Sequence, residues 1–147
     1  MFKKWWFWVI LIVIILGVLV YIGNNGPYDL IDLPEEEYRA ECKLYYYDDV
    51  FRNPDNYEKK LAKFTGEVVQ VIHKGDKLQL RVNVTKGAYG YEDTIYVFYD
   101  ASGKSNILEG DIVTIYGELR GLITYESVSG VDITIPRIYA KYIDINE

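Results

Sequence analysis

From Lys60 to the end of the chain, apolar side chains recur at every second position, and this period restricts the fold more than any other feature of the sequence. Five segments carry it, residues 63–72, 77–85, 94–99, 111–119 and 133–143, and each reads as a β-strand. In KLQLRVNV, Leu78, Leu80, Val82 and Val84 fall on one face while Lys77, Gln79, Arg81 and Asn83 fall on the other. HKGDK reads as a tight hairpin connection around Gly75-Asp76, and KGAYGYED and GLITYESVSG read as longer loops. Two glycines interrupt otherwise good strands, Gly66 in FTGEVVQV and Gly117 in IVTIYGEL. Glycine weakens a strand unless the backbone must bend or another backbone must come close. Five strands in about 80 residues hide their edges by coiling and closing, so both glycines are expected at the bends of a barrel.

Ahead of the strands the sequence is of another kind. Residues 5–22, WWFWVILIVIILGVLVYI, form an uncharged apolar run of the length a helix needs to cross a bilayer. A cleaved signal peptide would need small residues at its end. Val20, Tyr21 and Ile22 are bulky instead, and the polar GNNG comes next. A lipoprotein is disfavoured because Cys42 stands well beyond the run. Lys3 and Lys4 precede the run and acids lie after it, which puts the N-terminus in the cytoplasm and the remainder outside. Trp5, Trp6, Trp8 and Tyr21 fit the two interfacial aromatic belts. The expected organisation is a tip and single-pass anchor over 1–22, a juxtamembrane linker over 23–33 and an extracytoplasmic domain over 34–147.

Charge narrows the partners. Of 16 basic side chains only Lys3 and Lys4 precede the end of the run, so 14 lie after it together with all 22 acidic ones, a net of −8. Such a domain is a poor general partner for phosphate backbones, which are bound by Lys and Arg. A lone cysteine makes no internal disulfide, and Cys42 is expected to be buried as a small apolar side chain. Between linker and strands, Pro34 and the three glutamates after it start a helix over 35–42. A second short helix around Asp48, Val50 and Phe51 is stopped by Asn53-Pro54.

Signals for chemistry are weak. His73 stands at a strand end beside a turn, and no set of residues has metal-ligand spacing. Asp48-Asp49 and Glu92-Asp93 read as solvated turn residues rather than as an acid–base pair. KGAYGYEDT lacks the Gly-Lys-Ser/Thr ending of a phosphate loop. The expectation is a protein without catalytic residues, metal or cofactor.

The order of YDDVFRNPDNYEKKLAKFTGEVVQV, an alternating strand, ILEGDIVTIYGELRG and a closing IPRIYAKYIDI resembles the OB-fold domains of the tRNA-anticodon-binding-like group over about residues 38–145. Such domains occur in membrane-anchored proteins and lipoproteins of Gram-positive bacteria and their prophages. The resemblance implies an all-β, five-stranded Greek-key barrel with a short helical lead-in, here preceded by one transmembrane helix. It implies no particular ligand, because OB barrels serve many.

In that fold, ligands bind on the outer face of the second and third strands and the bordering loops. That surface would present Gln79, Arg81 and Asn83, with Tyr96 and Phe98 from the next strand if Ile95 and Val97 point inward. Tyr89, Tyr91 and Tyr125, among 15 tyrosines, would flank it. Rings with amide and guanidinium groups suit a glycan or an extended protein segment. A membrane-anchored binding or accessory module is therefore expected, with a single-stranded nucleic-acid binder or a structural subunit of a membrane complex as the alternatives.

Overall fold

Alternation becomes five long strands, β1 (Leu61–Lys74), β2 (Lys77–Gly87), β3 (Gly90–Asp100), β4 (Ile112–Glu126) and β5 (Asp132–Asn146). They close into a barrel in the order β1-β2-β3-β5-β4, with β4 returning to β1. All pairings are antiparallel except β3 with β5. This is a computed structural model that describes residues 30–103 and 105–146, together with Ile10 and Ile12. The expected transmembrane segment lies outside the described residues apart from those two isoleucines. Among the described residues no helix is long and apolar enough to cross a membrane.

Inward-facing residues supply the core. Phe64 and Val68 of β1, Leu78, Leu80 and Val82 of β2, and Ile95 and Val97 of β3 meet Val113, Ile115 and Leu119 of β4 and Ile138 of β5. Two residues from outside the strands join this cluster. Val50 enters from the helical lead-in and Ile107 from the segment between β3 and β4. At the full-burial value of roughly 1.5–3 kcal/mol for each aliphatic or aromatic side chain, this interior is the main favourable term holding the barrel closed.

Both interior glycines mark close backbone approaches. β1 pairs with β4 up to Glu67 and with β2 from Glu67 onward, so Gly66 sits where the strand passes from one partner to the other. A Cβ on Gly66 would lie 2.0 Å from the Asn83 carbonyl oxygen, and one on Gly117 would lie 2.3 Å from that of Tyr139. At Gly117 the β4–β5 register also shifts. No side chain fits at either place.

The lead-in forms three short helices, α1 (Glu35–Glu41), α2 (Tyr47–Arg52) and α3 (Pro54–Tyr57). The sequence pattern foresees the first two and misses α3, in which Pro54 opens a single turn instead of only ending its predecessor. Between α1 and α2, Lys43 runs beside β1, donating its main-chain N–H to Leu61 and accepting one from Lys63. Two expected loops are also shorter than their glycines suggest. KGAYGYED collapses to a turn at Ala88-Tyr89 because β2 and β3 pair as far as Gly87 with Gly90. Most of GLITYESVSG is strand, since β4 pairs with β5 through Glu126 and Asp132.

Residues 31–42 lie along the outer wall of β4 and β5, including the last part of the stretch expected as linker. The Ile31 N–H donates to Glu118 Oε1, and Lys141 Nζ donates to the Ile31 carbonyl at 2.9 Å. Arg39 bonds Asp144 at 2.6 Å and Glu35 at 3.0 Å, and its guanidinium lies over the rings of Tyr116 and Tyr142. Bonding to Asp144, opposed by some desolvation, holds the Arg39 pKa above its ordinary value. Tyr38 is fully buried against Tyr142. Its hydroxyl has no hydrogen-bond partner among the described residues, and burial, then the charge of Glu118, drives its pKa upward. An unpaired buried hydroxyl costs roughly 1–3 kcal/mol. Tyr38→Phe is therefore expected to stabilise the protein by about 1 kcal/mol. Calorimetry would register this as a melting temperature roughly 4 °C higher, and a lower one would mean that the hydroxyl has a partner.

Candidate ligand-binding cleft

Between Leu119 and Leu122 the β4 strand carries an extra residue, and Gly121 adopts the left-handed conformation at φ 66°. A glycine bulge sharpens a strand's twist and re-aims the residues beyond it. The distal part of the β4–β5 hairpin turns across the outer face of β1, β2 and β3. Tyr125 of this arm lies 5.6 Å, ring to ring, from Tyr96 of β3, and its hydroxyl accepts a hydrogen bond from Arg81 Nη1 of β2 at 2.9 Å. Arg81 Nε donates to Gln70 Oε1 of β1. One guanidinium thus ties β1 and β2 to the arm above them.

The result is an open cleft of about 590 Å³. Its floor is Gln70, Ile72, Arg81 and Tyr96, and its wall is the arm at residues 125–129. The aromatic floor continues away from the arm, Tyr96 meeting Phe98 at 5.3 Å and Phe98 meeting Tyr139 at 5.2 Å. Guanidinium groups lie along this row. Arg81 is over Tyr125, Arg137 over Phe98 and Tyr139, and Arg120 over Tyr139, at 5.1 to 6.0 Å. A domain that is acidic as a whole therefore presents cations beside rings on this wall.

Of the residues expected to bind, Arg81, Tyr96 and Tyr125 come together in the cleft. Gln79 and Phe98 support it, Gln79 by accepting the Tyr96 hydroxyl at 2.9 Å. Tyr96 is only 8% exposed, and burial, then Tyr125, raises its pKa against a smaller opposing effect of Arg81. It serves as floor more than as an open stacking platform. Asn83 is engaged elsewhere, donating to the Tyr91 carbonyl and accepting from Thr94. Tyr89 and Tyr91 stand apart at the β2–β3 turn, in a shallow depression with Gly87 and Glu92, and Tyr89 is fully exposed.

Gln70 and Ile72 escape the sequence pattern for a physical reason. Strict alternation from Phe64 through Val68 points residue 70 inward. The register shift between Val68 and Gln70 reverses the parity, so Gln70 opposes Arg81 and Ile72 opposes Gln79 on the outer face. No residue type in EVVQV announces that shift.

The residues weighed for catalysis are dispersed. Cys42 is buried behind α1, and desolvation raises its thiol pKa to about 11. His73 is exposed at the end of β1, and Asp48 and Asp49 occupy the first turn of α2. Among the described residues no group of three or more His, Cys, Asp or Glu could hold a metal ion.

Similarity to known proteins lies in the backbone. The barrel resembles a part of the aspartyl tRNA synthetase from Entamoeba histolytica, with a TM-score of 0.50 and 12% identity over 79% of this chain. The domain is an OB barrel. This chain spans 24% of that synthetase. The mitochondrial single-stranded DNA binding protein Rim1 from S. cerevisiae matches with a TM-score of 0.42 and 11% identity, covering 60% of this chain and 95% of its own. The small single-stranded DNA-binding protein from Streptomyces coelicolor matches with 0.42 and 18%, covering 60% and 94%. No family model matches the sequence, nor does any curated protein. In OB barrels generally, the face of the second and third strands and the loop between the fourth and fifth hold ligands. In this OB barrel the distal end of the β4–β5 hairpin meets that strand face at Arg81, Tyr96 and Tyr125.

Proposed function

We infer that the protein is a binding module that holds a segment of a protein or a glycan in the cleft between the β1–β3 face and the β4–β5 arm. The observation that carries this reading is Arg81, which joins Gln70 and Tyr125 at the centre of a cleft with an apolar floor and a few convergent polar groups. The module carries out no chemistry of its own; the raised thiol pKa of Cys42 and the scatter of His73 and the acids support this. Residues 5–22 anchor it in a cell membrane, N-terminus inside and barrel outside, on the strength of the apolar run and the lysines ahead of it; a Gram-positive setting is what the resemblance over residues 38–145 implies.

A crosslinking pull-down from intact membranes tests the cleft, using the full chain and its Tyr125→Ala variant, since truncating buried Tyr96 would disturb the floor. Tyrosine at the centre of an interface is worth about 2 kcal/mol, so recovery of the partner should fall more than tenfold. Unchanged recovery would move attention to the anchor and the helical lead-in, as in a structural subunit of a membrane complex. Placement is tested by Ser102→Cys, an exposed site between β3 and β4, with a membrane-impermeant maleimide. Burial of Cys42 keeps the background low. Labelling in intact cells is the expected result, and labelling only after lysis would reverse the orientation.

The guanidinium groups over Tyr125, Phe98 and Tyr139 favour a second reading, single-stranded nucleic acid at the cell surface. The net charge of −8 after the apolar run opposes it. Titration with an oligothymidylate at physiological salt separates the two, the first reading expecting no binding.

A further inference from the structure

Arg81 is half-buried in the cleft, and both of its hydrogen-bond acceptors, Gln70 Oε1 and the Tyr125 hydroxyl, are neutral. Lys77 and Arg120 bond carboxylates instead, those of Asp100 and Glu118, while Arg137 and Lys141 of β5 bond main-chain carbonyls at the barrel wall. A partly desolvated cation is held more strongly by a carboxylate or phosphate oxygen than by a phenol oxygen, because attraction between opposite charges adds to the hydrogen bond. The Tyr125 hydroxyl therefore occupies the place that an anionic group would fill better.

The surroundings describe the rest of the ligand. The cleft floor offers no main-chain ladder at its centre, because Arg81 is paired with Gln70 on one side and Tyr96 on the other. An extended peptide cannot add itself there as a strand. Recognition falls to the Gln70 amide, the Tyr125 ring, the Ser127 and Ser129 hydroxyls and the Glu126 carboxylate at the rim. These suit a chain rich in hydroxyl groups.

We propose that the cleft takes an anionic glycan, with a carboxylate or phosphate of the sugar chain docking on the Arg81 guanidinium in place of the Tyr125 hydroxyl. Arg81 then sets specificity and Tyr125 acts as a competing latch. The inference rests on the cleft being the binding site. It deepens that reading by choosing glycan over protein and charged over neutral.

The test is titration of the full chain in detergent micelles with four probes, an oligogalacturonate, a phosphomannan oligosaccharide, a neutral galacto-oligosaccharide and an oligoglutamate. One of the two anionic sugar polymers is expected to bind at least tenfold more tightly than the neutral oligosaccharide. Which of them does so distinguishes carboxylate from phosphate. Arg81→Gln should abolish the preference. Tyr125→Phe, which keeps the ring and removes the competing hydroxyl, should strengthen binding of the anionic polymer severalfold, an effect that a purely structural Arg81 would not produce. Equal binding of neutral and anionic sugars, tighter binding of oligoglutamate, or a preference that survives Arg81→Gln each overturns the proposal. If no sugar binds while Tyr125→Ala still loses a crosslinked partner, the glycan assignment fails and the cleft stands; if both experiments are negative, the cleft fails as well.

Discussion

Gly66→Ala is expected to cost at least about 3 kcal/mol, the upper end of what overpacking costs in a core. The added carbon would sit 2.0 Å from the Asn83 carbonyl oxygen and 2.8 Å from its carbonyl carbon, both main-chain atoms of the neighbouring strand. A flexible side chain could swing away, but β2 can yield only by moving a backbone that also carries Arg81. In thermal unfolding the variant should melt roughly 10–15 °C below the parent, or fail to fold. Gly75→Ala is the control. Gly75 sits in the β1–β2 turn at φ 61° with nothing within 4 Å of the added carbon, so only the left-handed conformation penalises it, by about 1 kcal/mol. Equal losses from the two substitutions would show that the close approach at Gly66 is not what glycine serves there.

Glu118→Ala should cost about 3–5 kcal/mol, the range for breaking a buried ion pair by removing one partner. The Glu118 side chain is 1% exposed, bonds Arg120 at 2.6 Å and accepts the Ile31 N–H. Its loss removes a charge partner of Arg120 and one of the two hydrogen bonds that hold the Ile31 main chain. Residues 31–42 should then become sensitive to protease while the barrel keeps its far-ultraviolet spectrum. Asp100→Asn provides the comparison. The Lys77–Asp100 pair is nearly as short, at 2.8 Å, but both side chains are well exposed. Hydrogen bonds from Lys77 and then from the Ser102 N–H hold the Asp100 pKa below its ordinary value. A solvent-screened pair of this kind contributes under about 1 kcal/mol. If Asp100→Asn proves as costly as Glu118→Ala, burial is not what gives the Glu118 pair its weight.

How far the sequence discloses this architecture depends on how regular the chain is at each point. KLQLRVNV discloses its strand because each of its residues obeys the two-residue period, and Leu78, Leu80 and Val82 are buried as that period requires. Ile95 and Val97 point inward and Tyr96 and Phe98 outward for the same reason. The cleft is less legible because bulges build it. One reverses the parity of β1 ahead of Gln70, and the other, at Gly121, swings the arm so that Tyr125 returns to Arg81. Both are tertiary decisions, stabilised by residues distant in sequence. The burial of Glu118 is hidden likewise, since an alternating strand places it outward and only the lead-in covers it.

Docking of the lead-in also sets a geometric limit. Ile31 is held by Glu118 on one side and Lys141 on the other, so the barrel is fastened at that residue and not at Leu61, where its first strand begins. Residues 23–30 alone connect it to the apolar run. Even fully extended, that length of chain covers roughly 30 Å, about the diameter of a small domain. If the run lies in a membrane, as proposed, the cleft would have a radius of action scarcely larger than the barrel itself. Under that proposal it would serve a partner resident in that thin layer and would not search the space beyond it.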